Sequence, residues 1–108
     1  MKYRKLGKSG LEVSVVGLGT NNFGGRLDYE NTNRVISQAL DVGINLIDTS
    51  NSYGATLSEE YIGRSLEGRR EIAVIATKVS SRMSDGANKA GNSRKHIMDQ
   101  IDKSLSRL

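Results

Sequence analysis

The chain has 108 residues, of which 36% are hydrophobic and 26% are charged, and its formal net charge is +4 at pH 7. This length and composition predict one folded domain. The absence of cysteine excludes disulfide bonds and cysteine-based zinc sites, and a single histidine argues against a histidine-rich metal site, so we predict no bound metal. The basic residues are scattered, without a basic run, so nucleic-acid binding is not expected. No segment has the pattern of a signal peptide or of a membrane span, and we therefore expect a cytoplasmic protein without a membrane partner.

Glycines punctuate the first half of the chain. Residues 3–14 predict two short strands around a Gly-Lys-Ser-Gly turn, which is a hairpin pattern. The apolar run 15–20 predicts a further strand. Residues 31–42 carry apolar side chains at helical spacing, and Gly43 suits the left-handed position that follows a helix. The first half is therefore predicted to be a hairpin, a strand and a helix.

The second half repeats the order of strand and helix. Strands are predicted over 44–48 and 72–78. Between them, Ser58 is the candidate N-cap of a helix that ends at Gly68. Glu59 falls in the first turn of that helix, where the helix dipole favours a carboxylate.

The last predicted helix has the strongest periodicity in the chain. Ser93 is its candidate N-cap, and His96 in the first turn is interpreted as a surface residue. The apolar face of this helix comprises Ile97, Met98, Ile101, Leu105 and Leu108. Because this face is still in phase at the final residue, we expect residues 1–108 to be the N-terminal portion of one larger domain. On its own, such a piece is expected to be marginally stable or to self-associate.

The three strand–helix units recur at intervals of about 28 residues. Apolar strands that alternate with helices are typical of an α/β fold, in which a parallel sheet is covered by helices. Two architectures fit this pattern, namely a doubly wound sheet and a (β/α)8 barrel.

A glycine-rich loop follows the first of these strands. A dinucleotide fingerprint begun at Gly17 requires glycine where Asn22 stands, and a phosphate-binding loop begun at Gly19 lacks its lysine. An ordinary loop is therefore favoured. Gly19 and Thr20 would nevertheless let a ligand approach the backbone closely at the end of the strand.

Three polar side chains lie near the ends of predicted strands. Asp48 ends the second strand, Lys78 ends the third, and Tyr53 lies in the loop after Asp48. Neighbouring ends of parallel strands meet at one edge of a sheet, so these groups can come together. One interpretation is a buried ion pair beside an incidental tyrosine. In the other, the Lys78 ammonium stabilises the Tyr53 phenolate and Asp48 holds the lysine, which would make a general acid for a carbonyl oxygen.

Five segments carry a family resemblance: "YRKLGKSGLEVSVVGLGTNNFG", "ALDVGINLIDTSNSYG", "SEEYIGRSL", "IAVIATK" and "SRKHIMDQIDKSLSRL". Together they resemble the N-terminal part of the aldo-keto reductase family, over essentially the whole chain and in order. The most specific segments are "GIN-x-x-DT-x-x-x-YG" and "ATK". The resemblance implies a partial (β/α)8 TIM barrel, with the N-terminal hairpin and the first three β/α units.

The resemblance also implies the residues of a catalytic site. Three members of the family's tetrad correspond to Asp48, Tyr53 and Lys78, with Tyr53 as the proton donor. The fourth member is a histidine that follows the next strand, and His96 does not match its position.

The resemblance further implies a cofactor and a substrate class. The cofactor would be NADP(H), with NAD(H) as the alternative, and Gly19, Thr20 and Asp48 would border its nicotinamide. The substrate would be a small carbonyl compound or alcohol. We expect the 108-residue chain alone to be inactive, because the family binds the rest of the cofactor through other loops. Two further functions stay open: a cofactor-binding regulatory subunit and a small basic interaction module.

Overall fold

A computed structural model describes all 108 residues, and it begins with an antiparallel hairpin. Strand β1 (Tyr3–Lys5) pairs with strand β2 (Glu12–Ser14). The backbone N–H of Leu6 donates to the carbonyl of Leu11 across the turn at 2.8 Å. The predicted hairpin over residues 3–14 is confirmed, although each strand is only three residues long.

The remaining elements alternate between strand and helix. The strands are β3 (Gly17–Gly19), β4 (Leu46–Asp48) and β5 (Val74–Ala76), and the helices are α1 (Tyr29–Asp41), α2 (Leu57–Ser65) and α3 (Arg94–Arg107). All three strands are parallel, in the order β3-β4-β5. Helix α1 packs against α2, and α2 packs against α3. Crossovers between neighbouring parallel strands are nearly always right-handed, so the sequential order β3-β4-β5 places α1 and α2 on the same face, as in a barrel segment and not a doubly wound sheet.

The hydrophobic core lies between the three-stranded sheet and helices α1 and α2. Its buried members are Phe23, Ile36, Ile47, Ile62, Leu66 and Ala73. Ile47 is the central residue of the central strand and is fully buried. A strand that is buried in the sheet needs apolar side chains, which is why the apolar run before Asp48 correctly predicts a strand.

Of the residues predicted at helix ends, Ser93 and Gly43 are confirmed, while the N-cap of α1, Asp28, was not predicted. Asp28 caps α1, because its carboxylate accepts from the backbone N–H of Asn31 at 2.9 Å. Ser93 caps α3 as predicted, and its hydroxyl accepts from the N–H of His96 at 3.1 Å. Gly43, the second residue after α1, has the predicted left-handed conformation, with φ of 86°.

The predicted N-cap of α2 is wrong. The helix begins at Leu57, so the N-cap position belongs to Thr56, and Ser58 already lies inside the first turn. The Ser58 hydroxyl is buried and bonded to other side chains, so it is not free to cap the helix. Helix α2 also ends at Ser65, three residues before Gly68.

Within these 108 residues, α3 turns polar residues toward the other elements and leaves most of its predicted apolar face exposed, although Leu108 packs against the core. Side chains from the predicted apolar face are 38–68% exposed, namely Ile97, Met98, Ile101 and Leu105. His96 is fully buried, so its interpretation as a surface residue is wrong. In its buried position, Nδ1 of the His96 ring lies 3.2 Å from the carbonyl oxygen of Asn88 in the preceding loop. None of the helices is long and apolar enough to cross a membrane.

Candidate active site

The carboxyl ends of the three parallel strands meet at one edge of the sheet. The register places Gly19 beside Asp48, and Asp48 beside Ala76, two residues before Lys78. Gly19 is exposed, and a Cβ atom added there would meet no atom within 4 Å. This edge therefore combines an open backbone surface with two charged side chains.

Asp48 and Lys78 form a direct ion pair. The Lys78 ammonium donates to the Asp48 carboxylate at 2.7 Å and to the carbonyl of Thr49 at 2.8 Å. The two side chains are 50% and 46% exposed, so the pair is not the buried ion pair that one interpretation of the sequence requires. An exposed pair of this kind contributes little to stability. Two acceptors do, however, hold the ammonium at a defined place on the edge of the sheet.

Tyr53 faces this ammonium. It begins a short 3-10 turn, Tyr53–Thr56, and the Lys78 nitrogen lies 5.2 Å from the centroid of its ring. This distance is within the range in which a cation is attracted to an aromatic ring. The structure thus brings together the three residues that the sequence predicts to be catalytic.

An unusual backbone conformation follows Tyr53. Gly54, Ala55 and Thr56 have φ values of 58°, 53° and 85°. A Cβ atom on Gly54 would lie 2.5 Å from the carbonyl oxygen of Phe23, so only glycine fits without movement. Non-glycine residues rarely adopt positive φ, and such strain often occurs at functional sites. The turn thus packs Gly54, the residue after Tyr53, closely against the loop that follows β3.

The electrostatics of the site favour the ammonium form of Lys78. Partial burial acts to lower the pKa of Lys78, but the hydrogen bond and the charge of Asp48, with a smaller contribution from Tyr53, raise it above its usual value of 10.5. Lys78 therefore remains positively charged at neutral pH, which a group that stabilises a phenolate must do.

A buried cluster of hydroxyl groups lies behind the site and was not predicted from the sequence. The Ser58 hydroxyl lies 3.0 Å from that of Thr20 and 2.9 Å from that of Thr49. The hydroxyl of Thr20 donates to the backbone carbonyl of Asp48 at 3.0 Å. The Thr20 side chain thus points into the protein, and the cluster ties β3, β4 and α2 together at the level of Asp48. Its only sequence signal is the clustering of small hydroxyl residues near strand ends.

A second buried set of contacts surrounds Glu59, which is fully buried. Its carboxylate accepts from the Thr77 hydroxyl at 2.6 Å and pairs with the guanidinium of Arg107. Sequence reasoning places Glu59 in the first turn of α2, and the structure confirms that position. Its two partners come from the segment that follows β5 and from α3, so no local pattern could have identified them.

A cleft of about 290 Å³ opens beside the Tyr53 turn. Its walls are Ser52, Ala55, Thr56, Arg82 and Met83. Arg82 donates to the carbonyls of Ser84 and Gly86 within its own loop. No group of three or more histidine, cysteine, aspartate or glutamate side chains is arranged to hold a metal ion.

Comparison with known proteins adds to this geometry. The sequence model of the Aldo/keto reductase family matches residues 15–108. An uncharacterized oxidoreductase of Bacillus subtilis, YqkF, is 34% identical over 110 residues, which cover the whole of this chain and 35% of that protein.

Two solved structures are also similar. The holo form of the aldo-keto reductase AKR11C1 from Bacillus halodurans superposes with a TM-score of 0.89 at 36% identity, covering all of this chain and 36% of the other. PA4992 from Pseudomonas aeruginosa, a protein assigned to the aldo-keto reductases, superposes with a TM-score of 0.84 at 42% identity, covering 98% of this chain and 42% of the other. The chain therefore spans 35–42% of the length of these relatives, and its fold is part of their (β/α)8 barrel.

Proposed function

This chain belongs to the aldo/keto reductase family, and we propose that it contributes to an NADP(H)-dependent oxidoreductase that interconverts carbonyl compounds and alcohols. The observation that carries this proposal is the meeting of Asp48, Tyr53 and Lys78 at the carboxyl ends of β4 and β5. In barrels of this kind, catalytic groups collect at that end of the strands.

Tyr53 is the proton donor in this proposal. When a carbonyl group is reduced, its oxygen gains negative charge and must receive a proton, and the phenol hydroxyl supplies it. The Lys78 ammonium, 5.2 Å from the ring, stabilises the phenolate that remains. Asp48 keeps the ammonium in place through the 2.7 Å hydrogen bond. For oxidation of an alcohol, Tyr53 accepts the proton instead.

The nicotinamide cofactor fits the open surface at Gly19. A flat ring can approach the backbone there, because no atom lies within 4 Å of the position that a Cβ would occupy. The bound cofactor supplies the hydride that adds to the carbonyl carbon. Gly19 and Asp48 would border the ring, while Thr20 would act through its bond to the Asp48 carbonyl because its own side chain is buried. NADP(H) is the expected cofactor and NAD(H) the alternative.

The test is cofactor oxidation in the presence of a simple aldehyde, followed at the absorbance of the reduced nicotinamide. It is run with the full-length product of the gene and, in parallel, with the 108-residue chain. We expect turnover by the former and none by the latter, because this chain supplies only the nicotinamide end of the cofactor site.

A matched pair of tyrosine variants identifies the proton donor. Tyr53→Phe should lower kcat by a factor of about 10² to 10⁴, the usual contribution of a general acid. Tyr61→Phe is the control, because Tyr61 packs edge-on against Tyr29 between α1 and α2, away from the site. Equal activity of the Tyr53→Phe variant and the unmodified protein would refute the assignment.

A further inference from the structure

Lys78 lies two residues beyond the end of strand β5, outside the regular pairing of that strand. Near its end, the carbonyls of Ala76 and Lys78 accept from the N–H groups of Thr49 at 2.8 Å and of Asn51 at 3.3 Å. The second of these bonds is long. Backbone pairing alone therefore leaves the segment at Lys78 weakly fixed.

The Thr77 side chain supplies a further anchor on the opposite face. Successive side chains of an extended segment point to opposite sides, so Thr77 faces the helices while Lys78 faces Asp48. The Thr77 hydroxyl donates to Glu59 of α2 at 2.6 Å. This single bond connects the residue before Lys78 to the helix layer.

Glu59 is itself fixed in place. Its side chain is fully buried, and it is paired with Arg107 of α3, which is 16% exposed. The first turn of α2 adds favourable electrostatics for a carboxylate. A buried carboxylate loses water and is retained only with good partners, so it has little freedom to move. Glu59 is accordingly a rigid acceptor for Thr77.

We propose that the hydrogen bond from Thr77 to Glu59 positions Lys78 against Asp48 and Tyr53, which makes Glu59 and Thr77 positioning residues of the site. The proposal rests on the proposed function in so far as Lys78 has a catalytic task. Neither residue touches the expected substrate or cofactor, and both act through the backbone at Lys78. The alternative is that Glu59 only joins α2 to α3 through Arg107.

The experiment measures the position of Lys78 directly and does not require turnover. The chain is exposed to limiting acetic anhydride at pH 8, and mass spectrometry gives the acetylation of Lys78 relative to exposed Lys103 on α3. Loss of the anchor frees the Lys78 amine from Asp48 and makes it more reactive. In Thr77→Val, which keeps the shape and removes the hydroxyl, this ratio should rise about threefold, because an amine released from its carboxylate partner is less strongly held in the unreactive ammonium form.

Two further variants separate the explanations. Thr77→Ser keeps the hydroxyl and should restore the original ratio. Glu59→Gln keeps an acceptor for Thr77 but removes the charge that pairs with Arg107, so it should lower stability with little change in the ratio. If Thr77→Val does not fold, Thr77→Ala removes the same hydroxyl without adding a methyl group.

An unchanged Lys78 ratio in folded Thr77→Val or Thr77→Ala would overturn the proposal and leave the structural alternative. Where the full-length product turns over, Thr77→Val should also lower kcat by about tenfold with KM nearly unchanged, and Thr77→Ser should recover it. Absence of turnover would refute the proposed function alone, because the acetylation ratio is measured independently of activity.

Discussion

Replacing Gly24 by alanine should destabilise the fold through a contact between the loop after β3 and helix α2. The φ angle of Gly24 is +73°, and a Cβ atom there would lie 2.3 Å from the Cβ atom of Leu57. An ordinary contact needs about 3.4 Å or more, so the loop and the helix must separate by roughly 1 Å. Overpacking of this kind typically costs about 1–3 kcal/mol.

Gly68 provides a matched control for the backbone contribution. Its φ is also +73°, but a Cβ atom there would meet nothing within 4 Å. Gly68→Ala should therefore cost only the strain of alanine at positive φ, partly offset by the lower entropy of its unfolded chain, or roughly 1 kcal/mol. Gly24→Ala carries the same strain plus the steric contact, or roughly 2–4 kcal/mol.

The assay is urea denaturation followed by circular dichroism, at a protein concentration where the chain is monomeric. A difference of 1–3 kcal/mol between the two variants corresponds to a separation of at least about 0.5 M between their midpoints. Equal midpoints for Gly24→Ala and Gly68→Ala would show that the contact with Leu57 relaxes freely. The reasoning about how this loop is held against α2 would then be wrong.

Three further predictions concern charge, capping and the exposed helix face. Asp48→Asn should bring the pKa of Lys78 down toward its usual value. Because the pKa of Lys78 is raised in the folded state, the ion pair should stabilise the fold at neutral pH, by no more than about 1 kcal/mol, and this stabilisation should be lost as the pH rises through that pKa. Denaturation curves of both proteins from pH 7 to 11 test this trend, and an identical pH dependence would contradict it. Ser93→Ala should lower the free energy of unfolding by about 1 kcal/mol, because it removes the N-cap of α3. Ser106→Ala on the same helix is the control and should change that free energy by no more than about 0.5 kcal/mol. Equal effects of the two variants in thermal melts would argue against capping by Ser93. Leu105→Glu should weaken self-association of the chain without lowering its stability, because Leu105 is 68% exposed. If the chain self-associates and its sedimentation profile is the same in the variant, the exposed face of α3 is not the surface through which the copies meet.

The candidate site illustrates which contacts a sequence can reveal. Asp48 and Lys78 could be predicted because each follows an apolar strand, and parallel strands bring their carboxyl ends together. The sequence could not predict the hydroxyl cluster around Ser58 or the partners of Glu59, because these hydrogen bonds connect residues that are 9 to 48 positions apart in the chain. Such contacts depend on how the helices sit on the sheet.

The sequence by itself determined the order of the elements, the hairpin, the caps at Ser93 and Gly43, and the strand ends that carry the polar groups. These features follow from local rules of periodicity, capping and backbone conformation.

Only the tertiary structure decided which face of α3 is buried. Its apolar residues predict an inward face, yet His96 is fully buried while Leu105 is largely exposed. The buried side of the helix makes a polar contact with the rest of the chain, since Asn51 in the loop after β4 donates to Gln100 of α3 at 3.2 Å. The orientation of a helix depends on the surface against which it packs, and the hydropathy pattern of the helix alone does not specify that surface.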